Sequence, residues 1–154
     1  AAMQDTVESQ HYMVDKPVEI SMFSVDASNN FSVEESVRSL FVKNREELPD
    51  IVVCLNEIDT TSIYQAVVDY NEVGVVNILG YYDSDAILKG IERSVIYATV
   101  AIDAKQMGEY CIDALSDYLE YGNTSQYFAA DVTVINSFNV SKYRQEDDDE
   151  SKAP

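Results

Sequence analysis

Short runs of β-branched residues alternate along this chain with longer stretches whose apolar positions recur every three or four residues. Val18 to Val25 alternates apolar and polar residues in the manner of a strand. Ser32 to Asn44 then has helical spacing, with Val33, Val37, Leu40 and Phe41 on one face and a capping box from Ser32 and Glu35. Pro49 closes the connection to Ile51-Val52-Val53-Cys54-Leu55, a continuous apolar run of the buried-strand type. A second helix is expected from a cap at Thr60 or Thr61, with Ile63, Val67 and Tyr70 on one face and an end near Asn71. Gly74 leads into a strand over Val75 to Tyr82, followed by a short helix from Ser84 to Arg93, capped by Asp83 or Ser84. A strand over Ile96 to Ile102 precedes the clearest helix, about Ala104 to Tyr121, which stops at Gly122. Its expected core stripe is Met107, Cys111, Ala114, Leu115 and Tyr118. Phe128 to Phe138 alternates as a last strand.

Strands that alternate with helices of this length imply βαβ units with right-handed crossovers. The expected fold class is therefore α/β, a three-layer arrangement with a mostly parallel sheet and helices on both faces. The 154 residues suffice for one domain with a sizeable core. Residues 1–143 are assigned to that domain, and residues 144–154 to a charged, disordered tail.

Charge narrows the partners. Acidic residues number 28 against 10 basic ones, a formal charge of −18. Phosphate backbones and anionic membrane surfaces are recognised by Lys and Arg, so no nucleic acid is expected as a partner of this chain alone. No apolar stretch approaches the roughly 20 residues that span a bilayer. The two cysteines, Cys54 and Cys111, lie in apolar patterns without a metal-ligand spacing, and both are expected as buried free thiols. No metal and no cofactor are expected. The run Glu146 to Glu150 lacks the glycine and spaced ligands of a calcium loop, and no glycine-rich phosphate motif occurs. His11 lies far in sequence from any nucleophile, so no catalytic residues are assigned.

In an open parallel sheet, ligands bind outside the carboxyl ends of the strands. Those ends carry Asp26, then Asn56-Glu57-Ile58-Asp59, then Tyr82-Asp83, then Asp103. Carboxylates accept hydrogen bonds in pairs and Asn both donates and accepts, which suits the hydroxyls of a polyol. The same residue types are ordinary helix N-caps. Asp83, next to Ser84-Asp85, is the most open to that reading, and Asn56, several residues ahead of the expected helix start, the least. Among Tyr81, Tyr82 and Tyr97, alternation sends Tyr81 and Tyr82 to opposite faces, and Tyr82 is the residue assigned to the pocket.

The stretch Leu48 to Glu57 resembles the "PD-strand-ND" segment of type I periplasmic sugar-binding proteins and of lactose-repressor-like effector domains. Val75 to Asp83 is similar to their "strand-G-aromatic-D" element, and Thr99 to Asp103 followed by Met107-Gly108 to their "TV-x-QD…MG" segment. Val132 to Asn136 resembles their closing strand, so that the likeness covers about residues 18–143. The resemblance implies the C-terminal lobe of a two-lobed receptor that closes on a sugar or related small polar solute by hinge motion, without covalent chemistry. It carries ligand contacts over to Asn56, Glu57 and Asp83, with Asp103 retained. Glu57 stands where the family has Asp, and Ile102 where it often has Gln.

Family members run to about twice this length, as two domains of ordinary size would. Ala1 to Met13 reads like a helix whose preceding strand is missing. Unpaired backbone groups in such a sheet are costly, so a homodimer or a rearranged strand order is expected, which sedimentation would reveal. The resemblance further implies an extracellular or periplasmic protein, anchored or not, working with a membrane transporter or sensor. The effector-binding domain of a transcriptional regulator is the alternative, marked by an upstream helix-turn-helix. A small α/β enzyme using the strand-end carboxylates is the third reading.

Overall fold

The structure is a computed structural model that describes residues 2–9, 18–26, 28–43 and 48–144. Its elements run in the order α1 (Ala2–Ser9), α2 (Asn30–Lys43), β1 (Ile51–Val53), α3 (Glu57–Asp69), β2 (Asn77–Tyr81), α4 (Asp85–Glu92), β3 (Ile96–Ile102), α5 (Ala104–Tyr121) and β4 (Val132–Asn136). Residues 140–144 are helical. The four strands form one sheet in the order β1-β2-β3-β4. β1 pairs with β2 and β2 with β3 in parallel, whereas β4 runs antiparallel to β3. The α/β class expected from the βα rhythm is what the chain adopts, as a mixed open sheet flanked by helices. The direction of β4 is not legible from periodicity, because alternation alone carries no sign.

The core forms where the β-branched runs meet the helix stripes. Ile78 of β2, Ile96 of β3 and Ile135 of β4 are essentially inaccessible, and so are Val67 of α3 and Ile87, Leu88 and Ile91 of α4. Burying a side chain of this size contributes about 1.5–3 kcal/mol. Phe41 of α2 stacks on Tyr70 with ring centroids 5.5 Å apart, fastening α2 to the end of α3. Gly90 lets α4 lie close to β3, since a Cβ there would come within 2.6 Å of Ile96 Cδ1. On the other face of the sheet, Ile51, Val53, Val100, Val132 and Val134 remain accessible.

Several local expectations are corrected. Residues 18–26 form no strand: Val18 and Met22 are exposed, and only Val25 packs against the core. Alternation becomes a strand only when a neighbour supplies hydrogen bonds. The Ser32–Glu35 capping box is not made. Asn29 Oδ1 instead accepts from the Ser32 amide at 3.0 Å, and Glu35 pairs with Arg38 one turn on. The stripe of α5 is not core, because no residue of α5 is buried, and Met107, Leu115 and Tyr118 are about half exposed or more. Arg144, assigned to the tail, is helical and pairs with Asp85 at 3.2 Å and Glu92 at 3.5 Å. His11 and residues 145–154 lie outside the described residues.

Cys54 is buried as expected, but Cys111 is exposed, since α5 leaves its apolar positions uncovered. Burial, and then the charge of Asp59, push the Cys54 thiol up to about 12. The thiolate is the reactive species. At pH 8, a thiol reagent added to the native protein is expected to modify Cys111 quickly and Cys54 only after denaturation. The sign for stability follows from linkage. The folded state holds the Cys54 proton more tightly than the unfolded chain, so its contribution is intact below about pH 9 and is lost as pH climbs toward 12. Two rapidly reacting thiols per native chain would contradict the packing around Cys54.

Candidate functional site

The carboxyl ends of β1, β2 and β3 lie side by side because these strands are parallel neighbours. Immediately beyond them stand Asn56, Tyr82-Asp83 and Asp103, so the fold brings these residues to one edge of the sheet. Asp26 does not join them as a strand end. Its Oδ1 accepts from the Ser28 amide at 2.9 Å, and that bond holds its carboxyl below the usual range. Tyr97 is also elsewhere. It is the second residue of β3 and lines a cavity of about 150 Å³ at the opposite end of the strands, with Asn77, Ser94 and Ser137.

Asn56 is the largest correction at the site. α3 begins at Glu57 rather than at Thr60 or Thr61, which makes Asn56 its N-cap. Its Oδ1 accepts from the Asp59 amide at 2.8 Å, and its Nδ2 donates to Asp59 Oδ2 at 2.6 Å. Both polar ends of the side chain are thus engaged in ending the helix. Glu57 becomes the exposed first residue of α3, where a carboxylate complements the helix dipole. Replacing Asn56 with Ala is expected to cost about 1 kcal/mol of stability, with most of it retained by Asn56→Ser. Urea unfolding of the two variants measures this, and equal losses would show that the cap bond contributes nothing.

Asp103 is likewise a cap, its Oδ1 accepting from the Gln106 amide at 2.8 Å. Its second oxygen is left to solvent or a ligand. Gln106 in turn binds Asp131 through both ends of its amide, at 3.2 Å and 2.6 Å, which ties the start of α5 to the approach to β4. Asp83 is half-buried and makes no hydrogen bond or ion pair among the described residues. The Ser84 hydroxyl beside it is buried without a partner. Capping at this end falls to Ser84 by position, but its side chain makes no cap bond. The residue most open to the capping objection therefore carries, like Glu57, a carboxylate without a partner among the described residues.

Tyr82, assigned to the pocket from the sequence, has a backbone conformation that the sequence did not reveal. It has φ of 82°, in the left-handed region, where a bulky side chain costs about 1–2 kcal/mol. Its amide donates to the Val100 carbonyl at 2.8 Å, and its carbonyl accepts from the Thr99 hydroxyl at 2.6 Å. The ring remains 44 % exposed at the strand end. Aromatic identity gave no sign of the unusual backbone, although the buried Thr99 that addresses this turn opens one of the matched motifs.

The arrangement offers an exposed aromatic ring, two unengaged carboxylates, of Glu57 and Asp83, and the partly engaged carboxylate of Asp103 at the carboxyl ends of the parallel strands. It can accept hydrogen bonds from hydroxyls and pack against an apolar ring face. Among the described residues no group of His, Cys, Asp and Glu is placed to hold a metal ion.

The fold is that of a periplasmic-binding-protein-like lobe. Its structural neighbours include solute-binding and sugar-binding proteins of ABC transporters and a glucose-galactose binding protein. An ABC transporter solute-binding protein from Agrobacterium vitis with bound D-fucose is similar at a TM-score of 0.73 and 16% identity, over 90% of this chain and 47% of that one. The Caulobacter myo-inositol-binding protein bound to myo-inositol gives a TM-score of 0.62 and 18% identity, over 72% of this chain and 39% of that one. A chain of the XylFII-LytSN complex gives 0.67 and 22% identity, over 84% of this chain and 45% of that one. The chain thus spans about half the length, or less, of these three proteins. No family model matches the sequence, and no curated protein matches it.

Proposed function

We propose that this chain is one lobe of a solute receptor that binds a sugar or a related small polyol and acts in transport or sensing, without catalysing a reaction. The observation that carries the reading is the turn after β2, where Tyr82 is held in a costly backbone conformation beside an unengaged Asp83. Strain of this kind persists where surrounding structure enforces it, and it clusters at ligand-contacting sites. The neighbours' bound D-fucose and myo-inositol favour the same ligand class. Closure against a second lobe would complete the ligand cage and shift an open–closed equilibrium. Ligand contacts are assigned to Tyr82, Asp83 and Asp103, with Glu57 at the rim and Asn56 acting chiefly through the helix cap. An exported protein working with a membrane transporter or sensor fits this role, and the XylFII-LytSN complex favours a protein partner.

Calorimetric titration with myo-inositol, D-fucose, D-tagatose and D-xylose tests the proposal. A saturable heat with at least one of them is expected, reduced at least tenfold in affinity by Asp83→Ala, about the effect of removing one buried charged hydrogen-bond acceptor. Turnover of any of these sugars, or no heat from all four while a protein partner binds, would remove the reading.

A further inference from the structure

Thr60 and Thr99 are buried polar side chains with 0% and 1% exposure, and both address the turn that ends β2. Thr60 Oγ1 donates to the Asn56 carbonyl at 2.7 Å and accepts from the Tyr81 amide at 3.0 Å. Thr99 Oγ1 donates to the Tyr82 carbonyl at 2.6 Å. Between them lies Gly80, where a Cβ would meet Thr60 Cγ2 at 2.6 Å and Thr99 Oγ1 at 3.2 Å. The missing side chain lets the two threonines close on the strand from α3 and β3.

We infer that Thr60 and Thr99 are positioning residues that, closing over Gly80, lock the β2 turn and hold Tyr82 in its left-handed conformation for ligand contact. The contact with ligand rests on the receptor reading above, whereas the lock itself does not. The physical argument is one of competition. A tyrosine released from constraint relaxes to negative φ. Here that relaxation is opposed at both backbone groups of Tyr82, by Val100 at the amide and Thr99 at the carbonyl. One residue earlier, Thr60 fixes the Tyr81 amide and joins it to the carbonyl of Asn56. Three strand ends that carry candidate ligand groups are thereby held in one register by two hydroxyls. Both hydroxyls are buried and bonded to backbone groups, so both act through the backbone.

Thr99→Val removes the hydroxyl at nearly constant volume, and Thr99→Ser restores it. The readout is the intraresidue amide–Hα nuclear Overhauser effect of Tyr82, which is strong at positive φ and weak at negative φ. A strong effect is expected in the parent and in Thr99→Ser, and a weak one in Thr99→Val. Persistence of the strong effect in Thr99→Val, or its absence from the parent, overturns the lock. Should Thr99→Val fold poorly, a thermodynamic cycle with Tyr82→Gly decides, because Gly adopts positive φ without help. Thr99→Val is expected to raise the unfolding constant about tenfold in the parent and clearly less in the Tyr82→Gly background. Equal effects in both backgrounds count against the lock. Sugar titration separates the two readings. No sugar bound by the parent, with the strong effect present, sustains the lock and removes its ligand role. Unchanged affinity in a Thr99→Val protein that has lost the strong effect removes that role as well.

Discussion

Replacing Ile78 with Ala is expected to lower the stability of the chain by about 4 kcal/mol, in the upper half of the range for such truncations. Ile78 is fully buried and sits in the middle of the sheet, opposite Val52 of β1 and Ile96 of β3. The loss has two parts. Transfer of the removed methyl and methylene groups accounts for about 2 kcal/mol at roughly 0.8 kcal/mol per group. The remainder is the cavity, because the backbone of β2 is hydrogen-bonded on both sides and cannot move inward to fill it. Ile51→Ala is the matched control. That side chain is 55% exposed on the uncovered face, and its loss is expected to cost less than about 1 kcal/mol. Urea denaturation of both variants decides the matter, and similar midpoint shifts would mean that the assignment of inner and outer faces is wrong.

Gly80→Ala is expected to cost about 2–3 kcal/mol, although it adds one methyl group to a strand interior where Ala is otherwise the better residue. The new Cβ would come within 2.6 Å of Thr60 Cγ2. Thr60 cannot swing aside cheaply. Its χ1 is restricted in a helix, and its hydroxyl is engaged with Asn56 and Tyr81. Relief therefore requires either displacement of α3 or loss of those bonds. A paired substitution, Gly80→Ala with Thr60→Ser, removes the colliding methyl and keeps the hydroxyl. It is expected to recover more than half of the loss. Thermal or urea unfolding measures both, and a neutral Gly80→Ala would show that α3 stands farther from β2 than the contact implies.

Much of the fold could be read in advance because its strongest elements are long or sharply punctuated. The strand Ile96–Ile102 and the helix Ala104–Tyr121, with Gly122 at φ of 74° after it, fall where apolar spacing and the terminal glycine put them. Elements whose existence depends on a neighbour were less legible. Residues 18–26 alternate correctly yet have no strand beside them, and the α5 stripe is amphipathic without a surface that buries it. The site was legible as a set of strand ends but not in its division of labour. Asn56 looked free because the start of α3 was placed at a threonine. That threonine belongs inside the helix, where its hydroxyl serves the next strand. The left-handed Tyr82 left no trace in composition, since the usual marker for that conformation is glycine.

The exposure of α5 bears on how the chain comes apart. A helix of 18 residues with none of them buried gains little from the core when it forms and costs it little when it melts. Its amides therefore belong to an opening event that is cheaper than global unfolding, and proteases would reach it first. The hydrogen bonds between Gln106 and Asp131 anchor its first turn, so fraying would run from the Gly122 end back toward them. A surface that covered that stripe would slow this fraying, and its binding would be read as slowed amide exchange along the helix.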